Sequence, residues 1–374
     1  MSDRDLPRYI QTIEELRAHL QAAVELEHST IPPYLCGLYT IRSGKNEKAA
    51  EIIRTVVVEE MLHFVLAANV LNAVGGSPSV AFPRFVPAYP ATLPLGTGGK
   101  LEINLLKFSE EAIDTFLAIE KPAQPAMPKL LGTMLEAAAT RHVPVEPGQL
   151  ADMLRRGEIY DSIGDFYQAI EDGLKGLEAR AQEDAKTIFV PDDGFQITRN
   201  YYYNSGGEAF PVSDLDSALK ALKTIVDQGE GYDREIFDGD DVVFGEQREL
   251  AHYYRFNQIK LGRCYVAGDT PQSGPTGATF EVDYGGDAVW DMMPNPSIAR
   301  LPEGSVRDAG AQFSAIYTDL LRMLDAGVNG KPDQLIPGVV QMFTLRDGAL
   351  ALVRIPLPNG GNAGPCFEFT GDQQ

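Results

Sequence analysis

From Thr12 onward, apolar residues recur at three- and four-residue steps, with Leu16, Leu20, Val24 and Ile31 on one face of a helix. Thr12-Ile-Glu-Glu15 ahead of that stripe has the form of a capping box, which sets the helix start. Pro32-Pro33 delete two backbone donors a turn later, so the helix must kink or restart there before ending near Ser43-Gly44, giving a first core helix over about 12–42. A second apolar helix is predicted over about 46–74, stopped by Gly75-Gly76-Ser77-Pro78. Ile163, Phe166, Tyr167, Ile170, Leu174 and Leu177 form the apolar face of a third, over about 161–186. A fourth is predicted over about 245–262.

The intervening stretches read as insertions. Residues 75–160 are Pro/Gly-rich, with short helices from Phe108 to Glu120, ended by Pro122, and around Pro128 to Thr140. Residues 187–244 carry the run Tyr201-Tyr202-Tyr203 and a helix near Ser213 to Gln228; acidic Asp238-Gly-Asp-Asp241 lacks calcium-loop spacing and reads as a solvated turn. A C-terminal extension over 263–374 adds helices from about Arg307 to Ala326 and Lys331 to Val353. Their stripes (Phe313, Ile316, Leu320, Leu324; Val340, Phe343, Leu350) predict packing on the bundle. The expected fold is all-α dominated: a single domain over 1–374, a four-helix bundle with long insertions and extra C-terminal helices.

Polar residues inside these stripes carry the chemistry. Glu27 interrupts the apolar face of the first helix, where an unpaired carboxylate would cost about 1–3 kcal/mol or more. Glu60-Met-Leu-His63 lies in the second helix and Glu249-Leu-Ala-His252 in the fourth, so two of the five histidines complete a Glu-x-x-His pattern. Residues three apart share a helix face, so each carboxylate and imidazole can grip one ion together. Glu59 lies about 100° from Glu60 and should face elsewhere. In the third helix Glu171 and Glu178 fall roughly 70–90° from the centre of the apolar face, with Glu171 the first choice, Glu178 the second and Asp165 solvated.

Two Glu-x-x-His helices plus one inward Glu from each of two others make the di-metal site of ferritin-like four-helix bundles. The expected ligands are therefore Glu27, Glu60, His63, Glu171, Glu249 and His252. Four carboxylates balance two divalent ions, so the loaded site can be buried. The imidazoles disfavour calcium, and zinc selects tetrahedral sites richer in thiolate or histidine. Iron or manganese is expected, iron ahead of manganese.

A net charge of −21 argues against nucleic acid and against an anionic membrane surface. Cys36, Cys264 and Cys366 are far apart and in no C-x-x-C spacing, as expected of free thiols in a reducing compartment. The start, Met1-Ser-Asp-Arg-Asp-Leu-Pro7, has no apolar leader and no stretch of spanning length is read, so a cytoplasmic location is expected. No phosphate loop, dinucleotide fingerprint or Ser/His/Asp constellation stands out.

Leu26-Glu-His-Ser-Thr-Ile-Pro-Pro-Tyr-Leu35, Glu59-Glu-Met-Leu-His63, Ile163-Gly-Asp-Phe-Tyr167, Glu249-Leu-Ala-His-Tyr-Tyr-Arg-Phe256 and Gly364-Pro-Cys-Phe-Glu-Phe369 resemble the ferritin-like domain of the VioB/RebD type. That domain occurs alone and within iminophenyl-pyruvate dimer synthases of bisindole biosynthesis. The resemblance covers most of the chain and implies a metal-binding bundle with Glu27, Glu60, His63, Glu249 and His252 as ligands. This chain is far shorter than those synthases, so their imine-coupling activity does not transfer with the likeness. The expected function is a di-metal oxidoreductase using oxygen or peroxide on a small organic molecule, with Tyr39, Tyr167 or Tyr253 nearby. The alternative is a non-catalytic module whose di-metal site is structural. A monomer or small homo-oligomer is expected, because insertions over about half the chain would obstruct an iron-storing shell.

Overall fold

The computed structural model describes residues 10–92, 102–122, 160, 163–202, 206–231, 235–238 and 249–371. The helix expected around Pro128 to Thr140 lies outside those residues, as do Tyr203 and most of the acidic run.

Helix α1 (Ile13–Thr40) starts at the expected capping box, with Thr12 and Glu15 satisfying each other's backbone donors. It continues through Pro32 and Pro33 as one helix. The Ser29 carbonyl, which Pro33 leaves without its helical donor, accepts from the Tyr89 hydroxyl at 3.3 Å. Helix α2 (Glu47–Ala73) packs along α1 over most of its length. The shorter helices are α3 (Glu110–Ile119), α4 (Ile163–Glu183), α5 (Leu215–Glu230) and α6 (His252–Leu261). Two-residue strands β1 (Ala91–Thr92) and β2 (Glu102–Ile103) pair antiparallel.

The bundle has four columns, and two are broken. The α1 and α2 columns are continuous. The third runs antiparallel to α1 in two pieces. Its α3 piece starts beside Thr40, whose hydroxyl accepts from Phe108 N at 2.8 Å, and ends where Glu120 meets the Tyr34 hydroxyl. The α4 piece resumes at Tyr167, which meets Glu27, and descends to Gly173, where Ile10 packs. The fourth column is broken at the same level: α5 rises to Gln228 beside His63, and α6 continues from His252 to Lys260, which pairs with Asp114 of α3. The α3 and α6 pieces pack on each other, as do α4 and α5. The fourth column is thus shared by α5 and α6, not supplied by a helix over 245–262 alone. The helix expected inside the second insertion belongs to the bundle.

Helices α7 (Ser305–Val328) and α8 (Leu335–Leu352) pack on each other and on the bundle. Phe313 and Leu320 are buried as expected, but Val340 and Phe343 are exposed. The inward face of α8 is Leu335, Gly338, Leu345, Ala349 and Leu352. Because α8 has apolar residues on every side, with few polar ones to mark an outer face, periodicity alone picks its packing face poorly. Among the described residues two helical stretches are long and apolar enough to cross a membrane, contrary to expectation: α2, whose apolar window is 89% buried inside the molecule, and Pro332–Leu352, 28% buried. For α2 that composition is what a core helix needs.

Candidate metal centre

The centre forms where the third and fourth columns break. Glu27 and Thr30 come from α1, Glu59, Glu60 and His63 from α2, Glu120 from the C-cap of α3, Tyr167 from α4, Gln228 from α5, and His252 from the first position of α6. Glu27, Glu60, His63, Glu120 and His252 are all buried. The His63 Nδ1 lies 3.4 Å from Glu27 Oε2 and 3.9 Å from Glu60 Oε2. The His252 Nδ1 lies 2.9 Å from Glu60 Oε1 and 3.6 Å from Glu120 Oε2. Glu60 thus stands between the two rings, whose centroids are 5.3 Å apart.

Each imidazole is anchored from behind. The Nε2 of His63 contacts Gln228 Oε1 at 2.8 Å, and that of His252 contacts Glu59 Oε2 at 2.9 Å. An acceptor at Nε2 keeps the proton there and turns the Nδ1 lone pair toward the carboxylates. Glu59 is itself held by Arg255 Nη1 at 2.7 Å. Thr30 donates to Glu60 Oε2 at 3.0 Å, while the Tyr167 and Tyr34 hydroxyls donate to Glu27 and Glu120.

The electrostatics are those of acids crowded together in a buried site. Burial, then the neighbouring Glu120 charge, pushes Glu60 up to about 8. Burial opposes the charged forms of Glu59 and His252 as well. In Glu59 the Arg255 guanidinium and the His252 ring together outweigh it and hold the carboxyl at about 2. In His252 the carboxylates of Glu120, Glu59 and Glu60 outweigh it and raise the imidazole well above its usual range. Burial is also the main cause that raises Tyr34 and Tyr167 well above the ordinary phenol, followed by Glu120 and Glu27 respectively.

The residues fit a metal. The His252 Nδ1 is buried and, despite the nearby Glu60 oxygen, is aligned with no hydrogen-bond partner. The donor atoms of Glu60, His63 and His252 lie within 4.8 Å of one another, a spacing that one ion can span.

Of the six ligands expected from the sequence, Glu27, Glu60, His63 and His252 come together. Glu171 does not: it turns to the outer side of α4 and pairs with Lys175. Glu178 is buried but accepts from Thr187 Oγ1 and Ile188 N, both at 2.9 Å, where it ties down the chain after α4. Glu249 is not helical. Its carbonyl accepts from Asp238 N at 3.0 Å in an extended pairing, and α6 begins only at His252. The three-residue helical spacing therefore does not apply, and its carboxylate pairs with Arg255 at 3.1 Å. Glu59, expected to face away, points to the outer side of His252. Glu120 was missed, although it carried the signal that marked Glu27: it continues the buried stripe of Ile113 and Phe116 at helical steps. Tyr39 lies beside Arg346 and Asp347 of α8, and Tyr253 meets Tyr254 edge to face.

A family profile described as Ferritin-like matches residues 20–261. The chain belongs to the ferritin-like family. Among curated proteins this ferritin-like chain is 25% identical over 333 residues to dichlorochromopyrrolate synthase of Lentzea aerocolonigenes, covering 84% of the chain and 29% of that protein. It is 23% identical over 401 residues to 2-imino-3-(indol-3-yl)propanoate dimerase of Chromobacterium violaceum, covering 96% of the chain and 34% of that protein. These are the relatives that the VioB/RebD-type motifs pointed to, and the chain spans about a third of their length. A solved ferritin-like protein from Caulobacter vibrioides shares the fold, with a TM-score of 0.61, 21% identity, and 96% and 99% of the two chains covered.

Proposed function

We propose that this ferritin-like chain is a two-metal oxidoreductase using oxygen or peroxide on a small organic molecule, with iron ahead of manganese. The observation that carries this is the convergence of two Nδ1 atoms on Glu27, Glu60 and Glu120, each ring anchored at Nε2. Two such ions, when bound, supply electrons for oxygen or peroxide and a Lewis-acid centre. Gln228 and Glu59 hold the Nε2 side of each ring and so leave each Nδ1 facing the carboxylates. The Tyr167 and Tyr34 hydroxyls stay protonated and orient Glu27 and Glu120, placing two phenol protons at the edge of the centre. The names of the curated relatives point to amino-acid-derived aromatic or imine substrates, whereas their coupling reaction is not assigned to a chain a third as long. Free thiols at Cys36, Cys264 and Cys366 support a reducing, cytoplasmic setting.

The test is anaerobic loading with ferrous iron, then exposure to oxygen. About two ions per chain, absorbing intermediates during oxidation and loss of both in Glu60→Ala are expected. Iron that oxidises no faster than in free solution, with Glu60→Ala merely lowering the melting temperature, would leave a structural site. Sedimentation should show a monomer or small oligomer; a large hollow multimer accumulating iron would favour storage.

A further inference from the structure

Helix α8 carries two apolar faces and buries one. Leu335, Gly338, Leu345, Ala349 and Leu352 turn inward, and the helix packs on α7 and α1. On the opposite side Ile336, Val340 and Phe343 are 50%, 64% and 55% exposed. Ile336, Val340, Phe343 and Asp347 follow one another at steps of four, three and four, with Asp333 three residues earlier in the turn that leads into the helix. On a helical wheel they form one stripe within about 60° of Val340. All five are exposed. That spacing makes the seam along which two helices pair, knobs into holes, and an apolar seam open to water marks an interaction surface.

The charges along the seam say what covers it. Arg346 stands on its flank, 3.0 Å from Asp347 and 5.2 Å from the centre of the Phe343 ring. Ile336 and Phe343 are equidistant from a point between Val339 and Val340, and so are Asp333 and Arg346. A second α8 laid antiparallel about that point would therefore set Ile336 against the second copy's Phe343 and Asp333 against its Arg346. Each end would hold Lys331 and Asp333 of one copy beside Arg346 and Asp347 of the other, two cations with two carboxylates. A parallel pair would set Asp333 against Asp333 and Arg346 against Arg346, and would align the two helix dipoles. A lipid surface suits the seam less well, because Asp333 and Asp347 lie within it and a net charge of −21 repels anionic headgroups.

We propose that this face is a homodimer interface, with α8 crossing α8 of a second copy antiparallel about a two-fold axis between Val339 and Val340. The same patch serves both copies, as an isologous contact requires. An interface centred on one helix pair is small, so the dimer is reversible, with a dissociation constant on the order of micromolar.

The experiment is sedimentation equilibrium of the full chain over a hundredfold range of concentration, which should show a monomer–dimer equilibrium. Val340→Glu should weaken it at least tenfold with the melting temperature unchanged, whereas Leu261→Glu, at a residue equally exposed on another helix, should leave it intact. Cysteine pairs then read the register, with the partly exposed Cys264 replaced by serine. Under diamide, Val340→Cys should link to itself. Ile336→Cys should link to Phe343→Cys when the two are mixed, but not to itself. A monomer at every concentration, a dimer indifferent to Val340→Glu, or Ile336→Cys linking to itself as readily as Val340→Cys would overturn the inference. A monomer that co-sediments with phosphatidylcholine vesicles, and stops doing so in Val340→Glu, would overturn it in favour of a lipid surface.

Discussion

Arg255 sits behind the centre with three carboxylates around it: Glu59 at 2.7 Å, Glu249 at 3.1 Å and Asp238 at 3.6 Å. Its guanidinium holds Glu59 ionised, and Glu59 holds His252. Removing it would strand a buried carboxylate, which costs about 3–5 kcal/mol. Arg255→Met should therefore lower stability by about that much in urea unfolding, and adding Glu59→Gln should restore most of it. If the double variant is no more stable than Arg255→Met, the pair is not the reason. A second contrast separates the acids by role. Glu120→Gln should weaken metal binding at least tenfold, whereas Glu171→Gln, on a surface pair, should leave metal content unchanged and stability within about 0.5 kcal/mol. Equal effects of the two would contradict the assignment. Glu27 was legible because it breaks a long apolar stripe; Glu120 breaks a stripe too, but in a helix so short that its last residue looked like an end. Glu171 sat at an angle that neither included nor excluded it, and only the packing of α5 against α4 decides which way it turns.

The elements were legible where periodicity is long and uninterrupted. Helices α1 and α2 satisfy that, and Glu27, Glu60 and His63 fall where the three- and four-residue steps put them. The break in the other two columns was not legible, because a sequence shows where a helix stops but not that the next one continues the same column. Taking Glu249-x-x-His252 as helical followed from that gap. The close approach at Gly173 is the packing counterpart. A Cβ there would lie 2.6 Å from Ile10 Cγ2 and 2.9 Å from its Cβ. Ile10 is β-branched and buried, so it has little freedom to yield. Gly173→Ala would gain about 0.5–1 kcal/mol of helix propensity but lose about 1–3 kcal/mol to overpacking. A net destabilisation is expected, and Ile10→Ala should relieve the clash when combined with it. A more stable single variant would show that α4 can move away from the N-terminal segment.

At the scale of the whole molecule, acid should weaken the fold through a residue far from the metal ligands. His19 is buried in α1, with Nδ1 at 2.7 Å from the Glu15 carbonyl and Nε2 at 2.8 Å from the Tyr160 hydroxyl, its ring stacked on Phe166. Burial lowers its pKa to about 4, against the partly opposing pull of Glu15. In the unfolded chain the same ring titrates near 6.5. The unfolded state therefore takes up the proton first as pH falls. Stability from the neutral ring is complete above the unfolded value and is lost progressively as pH drops through the folded one. At pH 5 this amounts to about 2 kcal/mol. A competing effect acts on the same axis, since protonating surface acids relieves the self-repulsion of a chain with net charge −21. Comparing variants cancels that term. His19→Gln keeps a polar group for Glu15 and Tyr160 but cannot titrate. Its unfolding free energy should fall by about 2 kcal/mol less than that of the native chain between pH 7 and pH 5, measured in urea on protein prepared identically. Parallel pH profiles for the two would mean that His19 is not the group through which acid acts.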